Sequence, residues 1–363
     1  MLELFETTKI NGMELKNRFV RSATWTGLAE NDGTCSQRLI DFLVELARGG
    51  VGLIITGHSY VLKNGQAGPR QLAIDSDTVI PGLRLLTDAI HENAGKIILQ
   101  LSHAGIYGDP KLTGHTPRAV SDGGTFVPYP VKELAPGEIE EIIDSFVLAA
   151  ERSQKAGFDG IQLHAGHGYL LNQFLSRAYN NRIDGYGGDV IFRVFPLLEI
   201  VRHIRKVVGP LYPIMLKLNS RDYLENGLEL DESLEIGRML ENAGVDAIEI
   251  SGGTRESGNL KSTRTGILSE QDEAYFEEAA RSFRNHLGIP IILVGGIRSY
   301  ATAERLLHSG AADYVAMSRP FICQPDLINR WHNGNRQSSA CRSDNECLVL
   351  GLNDSGIRCR WSS

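Results

Sequence analysis

Eight short apolar runs, each closed by glycine or a polar residue, constrain this chain more than any other feature. They occupy residues 19–23, 52–56, 96–101, 160–164, 214–218, 247–250, 291–294 and 314–317. Runs of this length without polar alternation suit strands buried on both faces, as parallel strands are. Between them, apolar residues recur at helical spacing over 36–47, 137–155, 230–242, 271–287 and 300–308. Gly49, Gly95, Gly157, Gly244, Gly288 and Gly310 follow as C-terminal punctuation. Eight strand–helix units predict an α/β chain closed into a (β/α)8 TIM barrel. A doubly wound dinucleotide fold would carry G-x-G-x-x-G after a strand, and the pattern is absent. The expected division is a barrel over 1–333 and a short cysteine-bearing tail over 334–363. Three connections, 102–135, 165–189 and 251–271, are long, and each follows a strand. In a barrel that end carries the active site.

The 363 residues suit one barrel with insertions, and 42% hydrophobic with 22% charged residues is a globular balance. A net charge of −7, without any Lys/Arg block, argues against a nucleic-acid partner. The opening MLELFETTKI does not resemble a signal peptide, and no apolar run is long enough for a membrane span. Five cysteines, confined to Cys35, Cys323, Cys341, Cys347 and Cys359, do not suggest a disulfide framework, so a cytoplasmic location is expected. The sequence leaves a homo-oligomer open.

Chemistry concentrates where the fourth run ends. Residues 160–189 read GIQLHAGHGYLLNQFLSRAYNNRIDGYGGD, placing His164, His167 and Tyr169 at a strand's carboxyl end. A buried, hydrogen-bonded histidine pair is the bland reading; two histidines and a tyrosine in six residues at such a terminus favour a site. Gly295-Gly296 follows the seventh run and Ser318-Arg319 the eighth. Loops there commonly bind phosphate through backbone N–H groups, and Arg319 can add a charge-assisted bond. Two ordinary turns and a surface arginine are the alternative. Gln100 and Lys217 stand near the ends of the third and fifth runs. An ammonium within a strand points to an anionic or electron-rich ligand, or to a structural ion pair.

Several segments together resemble the Old Yellow Enzyme family of FMN-dependent ene-reductases. They are KNRFVRSATWTGLAENDG (16–33), KIILQLSHAG (96–105), LHAGHGYLLNQFLSRAYNNRIDGYGG (163–188), VGGIRS (294–299) and MSRP (317–320). The similarity lies nearest the branch with dienoyl-CoA reductases and related iron–sulfur flavoproteins. The resemblance implies FMN as cofactor, NAD(P)H as reductant and a small unsaturated carbonyl compound as substrate. It places Ser22, Ala23 and Thr24 against the flavin, His58 on the cofactor side and Gln100 at the pyrimidine edge. Lys217 would face N1 and C2=O, and Gly295, Gly296, Ser318 and Arg319 the phosphate. His164 and His167 would hold the substrate carbonyl, Trp25 would line the pocket, and Tyr169 would protonate the α-carbon. Chemically, two N–H donors stabilise developing enolate charge, and a phenol of pKa about 10 keeps its proton at neutral pH.

The chain departs from that family's pattern at four places. Lys217 replaces the usual Arg, a point charge for a fork. Trp25 stands where relatives have Cys, Thr or His, and only Arg193 remains of an E-N-R triplet now reading Ile191-Phe192-Arg193. In the tail, Cys341, Cys347 and Cys359 keep iron–sulfur spacing, but Asp344 takes the second cysteine's place. A conventional [4Fe-4S] cluster is therefore not expected; free thiols, zinc or a three-cysteine cluster remain the readings. Two other functions stay open. One is a zinc-dependent hydrolase using His164 and His167 with His58 or His103, and the other a flavin-binding electron-transfer protein worked through its tail.

Overall fold

The computed structural model describes residues 2–122 and 126–361; residues 123–125 of the long 102–135 connection, and 1 and 362–363, lie outside it. Eight parallel strands form the centre: β1 (Phe19–Arg21), β2 (Leu53–Ile55), β3 (Ile97–Ser102), β4 (Ile161–Ala165), β5 (Ile214–Asn219), β6 (Ala247–Ser251), β7 (Ile291–Val294) and β8 (Tyr314–Met317). Each pairs with its sequence neighbours, and β8 pairs with β1 through Ala316↔Val20, which closes the barrel. All eight apolar runs are strands of it.

Around the barrel run α1 (Gln37–Arg48), α2 (Ile80–Glu92), α3 (Pro136–Lys155), α4 (Val190–Val208), α5 (Leu230–Ala243), α6 (Glu277–His286), α7 (Tyr300–His308) and the short α8 (Leu327–His332). Their starts and stops follow local chemistry. The Ser36 hydroxyl accepts the Leu39 N–H at the start of α1 (3.1 Å), and Gly244, at φ 105°, ends α5 in the left-handed region. Helices α2, α4 and the short α8 are additions to the pattern read from spacing.

The two-residue period of a strand decides what faces inward. On β5, Leu216 and Leu218 pack outward with the helices, while Met215 turns into the barrel. Val20, Leu53, Ile55, Ile98, Met215, Ala247 and Ile292 fill the lower barrel, and Ile10, Met13 and Leu15 of an N-terminal hairpin plug it. One step up, this apolar layer gives way to Gln100, Gln162, Lys217 and Glu249, all buried. That change of chemistry marks the floor of the site.

The cysteine-bearing tail sits on the active face of the barrel. It lies across the mouth: the Ile357 N–H donates to the Thr26 carbonyl (2.7 Å), Arg70 to the Gly351 carbonyl (3.0 Å), and Arg319 to the Asn345 side chain (2.8 Å). Among the described residues no helix is long and apolar enough to cross a membrane.

Candidate active site

One cleft at the carboxyl ends of the strands holds about 1030 Å³ of empty space, its open mouth included. Every flavin- or substrate-site residue implied by the resemblance lines it except Gly295, which adjoins. The tail contributes Ser343 and Leu348 to the wall.

The floor is a hydrogen-bonded chain set by strand register. Lys217 stands opposite Glu249, and Gln100 opposite Gln162. Gln100 donates to Gln162 (2.7 Å), Gln162 to Glu249 (2.8 Å), and Ser22 to the other Glu249 oxygen (2.6 Å). The Lys217 ammonium lies 3.0 Å from Glu249 and 2.7 Å from the Ser22 hydroxyl. Lys217 is thus half of a buried ion pair, the structural alternative left open above, while its side chain still borders the cleft. Glu249 and Gln162 went unremarked in the sequence: each is a single polar residue inside an apolar run, and their partners lie far away along the chain.

Above the floor, Thr24 and Ser318 share a hydrogen bond of 2.6 Å, joining the ends of β1 and β8. Gly295 and Gly296 adopt φ of 138° and 73°, and a Cβ on Gly296 would come within 2.8 Å of the Tyr275 ring. Only glycine leaves this backbone open to a ligand. Arg319 is buried, donating to the Arg264 carbonyl and Asn345 (both 2.8 Å), so it is anchored rather than a loose surface arginine. A phosphate-bearing cofactor would suit these residues, with Gly295, Gly296, Ser318 and Arg319 to hold its phosphate.

The opposite wall carries the ionisable cluster. The His164 ring centre lies 5.0 Å from that of His167 and 4.9 Å from that of Tyr169. His167, itself at φ 61°, exchanges a hydrogen bond with the Ser251 hydroxyl (2.8 Å). His164 Nδ1 is buried and has no partner among the described residues, and such an atom signals a missing ligand. Burial, reinforced by the neighbouring histidines and Lys217, holds the His164 pKa well below its ordinary value and lowers His167 to about 3. Both are neutral imidazoles at neutral pH. His58 belongs here too: its ring is 5.3 Å from Tyr169 and 6.3 Å from His164, and Gln71 donates to its Nδ1 (2.7 Å). Trp25 is held by a bond to the Pro69 carbonyl (3.1 Å) and packs under Gly351 of the tail.

The zinc reading loses its ligand set. His103 is committed to Asn64 (3.1 Å) and to the Gly105 N–H (3.0 Å), and among the described residues no group of three His, Cys, Asp or Glu is placed to hold a metal ion. In the tail, Asp344 accepts from the Trp361 indole (2.8 Å) and the Glu346 N–H (3.1 Å), which uses both its oxygens. Cys323, at the end of a short helix after β8, joins the tail thiols instead and hydrogen-bonds with Cys359. Burial pushes Cys323 up to about 12 and Cys347 to about 11, values of protonated thiols. The arginine that survives from the lost triplet is structural. Arg193 is fully buried and pairs with Glu232 (2.5 Å) and the Gly188 carbonyl (2.9 Å).

Residues 3–338 match the NADH:flavin oxidoreductase / NADH oxidase family. The chain is 39% identical over 366 residues to an NADH oxidase of Thermoanaerobacter brockii, covering 98% of this chain and 55% of that protein. It is 35% identical over 355 residues to a metal reductase of Desulforamulus reducens, covering 95% and 51%. The chain therefore spans about half the length of these curated relatives. A solved 2-naphthoyl-CoA reductase in complex with 2-naphthoyl-CoA superposes with a TM-score of 0.92 at 29% identity, over 98% of this chain and 56% of that one.

Proposed function

The chain belongs to the NADH:flavin oxidoreductase / NADH oxidase family, and from that premise we propose that it is an FMN-dependent ene-reductase, moving hydride from NAD(P)H to the activated C=C of an α,β-unsaturated carbonyl compound. The observation that carries this reading is the unpartnered, buried His164 Nδ1 beside His167 and Tyr169, in the same cleft as the open Gly295–Gly296 backbone. Ser22, Ala23, Thr24, Gln100 and Lys217 would hold the ring system, and Gly295, Gly296, Ser318 and Arg319 the phosphate. Bound FMN would supply the hydride.

The protein's own groups do the rest. His164 and His167, both neutral, donate N–H bonds to the substrate oxygen, and such donors contribute a few kcal/mol each, about 3, as enolate charge develops. Ser251 fixes the His167 ring. Tyr169 delivers a proton to the α-carbon, and Trp25 lines the same pocket. Electrons enter from NAD(P)H at the cleft, not through the tail: with Asp344 engaged elsewhere, protein purified anaerobically is expected to carry little iron or sulfide. About four of each per chain would contradict this.

The test uses the coloured, purified protein. After anaerobic reduction with NADH, adding 2-cyclohexenone should restore the oxidised flavin spectrum within the turnover time. Flavin that reduces but never reoxidises with enones would favour the electron-transfer reading, and FAD or no flavin in the released cofactor would overturn the FMN assignment.

A further inference from the structure

Arg255 lies on the connection that follows β6, beside the proton donor assigned above. Its guanidinium carbon is 4.4 Å from the ring centre of Tyr107 and 5.9 Å from that of Tyr169. The side chain is exposed at the rim, yet it is not loose, because its neighbour Glu256 pins the loop. The Glu256 carboxylate accepts from the hydroxyls of Tyr107 (2.5 Å) and Tyr179 (2.9 Å), and Thr254 lies 3.2 Å away. That carboxylate is spent on tyrosines. Among the described residues no acidic group pairs with Arg255. Partial desolvation opposes its charge, but the surrounding hydroxyls of Tyr169, Tyr107 and Tyr129 outweigh this and hold its pKa up.

The rest of the substrate wall carries no comparable charge. His58 is lowered to about 4 by burial and by Arg255 itself, and His164 and His167 are neutral. On the floor, Lys217 is offset by Glu249 at 3.0 Å. A guanidinium packed between two aromatic rings that stand nearly perpendicular, at 81°, has already lost much of its rotamer freedom, and its fork matches a carboxylate with two parallel bonds.

We propose that Arg255 binds a carboxylate carried by the substrate, so that the conjugated carbonyl compound reduced here is an anion whose acid group lies on the Tyr169 side of the cleft. This rests on the ene-reductase reading and narrows it to a substrate class. Glu256, Tyr107 and Tyr179 act as positioning residues for the loop that carries the arginine.

The experiment compares acids with their methyl esters, using 4-oxo-2-pentenoate and 2-(carboxymethyl)cyclohex-2-enone, two placements of the carboxylate about the C=C. The holoenzyme should show a KM about ten- to a hundredfold lower for at least one acid than for its ester, the range expected of a charge-assisted pair. Arg255→Met should reduce that ratio to about one, and Arg255→Lys should restore part of it, at unchanged flavin content. Equal KM for acid and ester in both pairs, or a ratio that survives Arg255→Met, would overturn the assignment. If neither acids, esters nor 2-cyclohexenone reoxidise the flavin, the ene-reductase reading has failed instead. Binding of 4-hydroxybenzoate and its methyl ester, followed by the flavin spectrum, then decides the arginine's role by the same ratio.

Discussion

The Tyr169 ring centre lies 4.9 Å from that of His164, whose imidazole is kept neutral by burial, so the phenol is the group proposed to deliver the proton. Tyr169→Phe should therefore slow reoxidation of the flavin by an enone by about a hundredfold or more, the usual weight of a general acid. Reduction by NAD(P)H should stay close to wild type, because that half-reaction needs no phenol. Stopped-flow absorbance separates the two, and equal slowing of both would reduce Tyr169 to a packing residue. His164, His167 and Tyr169 were legible in sequence because they crowd one strand terminus. Arg255 was not, since TRESG is ordinary polar loop sequence and the rings of Tyr107 and Tyr169 that frame it come from other loops.

Strands β5 and β6 meet in the register Lys217↔Glu249, and both side chains are nearly sealed from water, at 3% and 0% exposure. Removing one partner of such a pair strands the other charge. Glu249→Ala should cost about 3–5 kcal/mol of stability and also release Ser22 and Gln162. Thermal melts of the flavin-free protein would show it, and a change below about 1 kcal/mol would mean that water reaches Lys217. Strand runs were readable because burial on both faces removes ambiguity. Pairing across strands was not, because it depends on register between segments remote in sequence. Helices fared unevenly for a related reason. Helix α4 leaves Ile191, Phe192 and Phe195 exposed and carries Pro196 inside, which blurs its apolar stripe. Helix α2 opens with Ile80-Pro81-Gly82, which reads as a turn.

The whole molecule lays its own tail along one wall of the cleft, and no spacing rule told where the tail would lie: its contacts with Thr26, Arg70 and Arg319 join residues hundreds apart or in different loops. A global consequence follows from histidines sealed under such loops. His103 is 1% exposed and its pKa is lowered to about 3, by burial first and then by Arg118; His164 is lowered for like reasons. In the unfolded chain a histidine titrates near 6.5. Between those values the unfolded state binds more protons than the folded one, so stability rises with pH across that window. The stability tied to His103 is fully present above about pH 6.5 and is lost as pH falls toward about 3; at pH 5 the loss is about 2 kcal/mol. The melting temperature should drop between pH 7 and pH 5, above the range where ordinary carboxylates titrate. His103→Gln, which cannot take up the proton, should make that slope shallower by His103's share, leaving the share of His58, His164 and His167, even if it lowers stability at pH 7. A melting temperature independent of pH over this interval, or an unchanged slope in the variant, would show that His103 is protonated in the native protein.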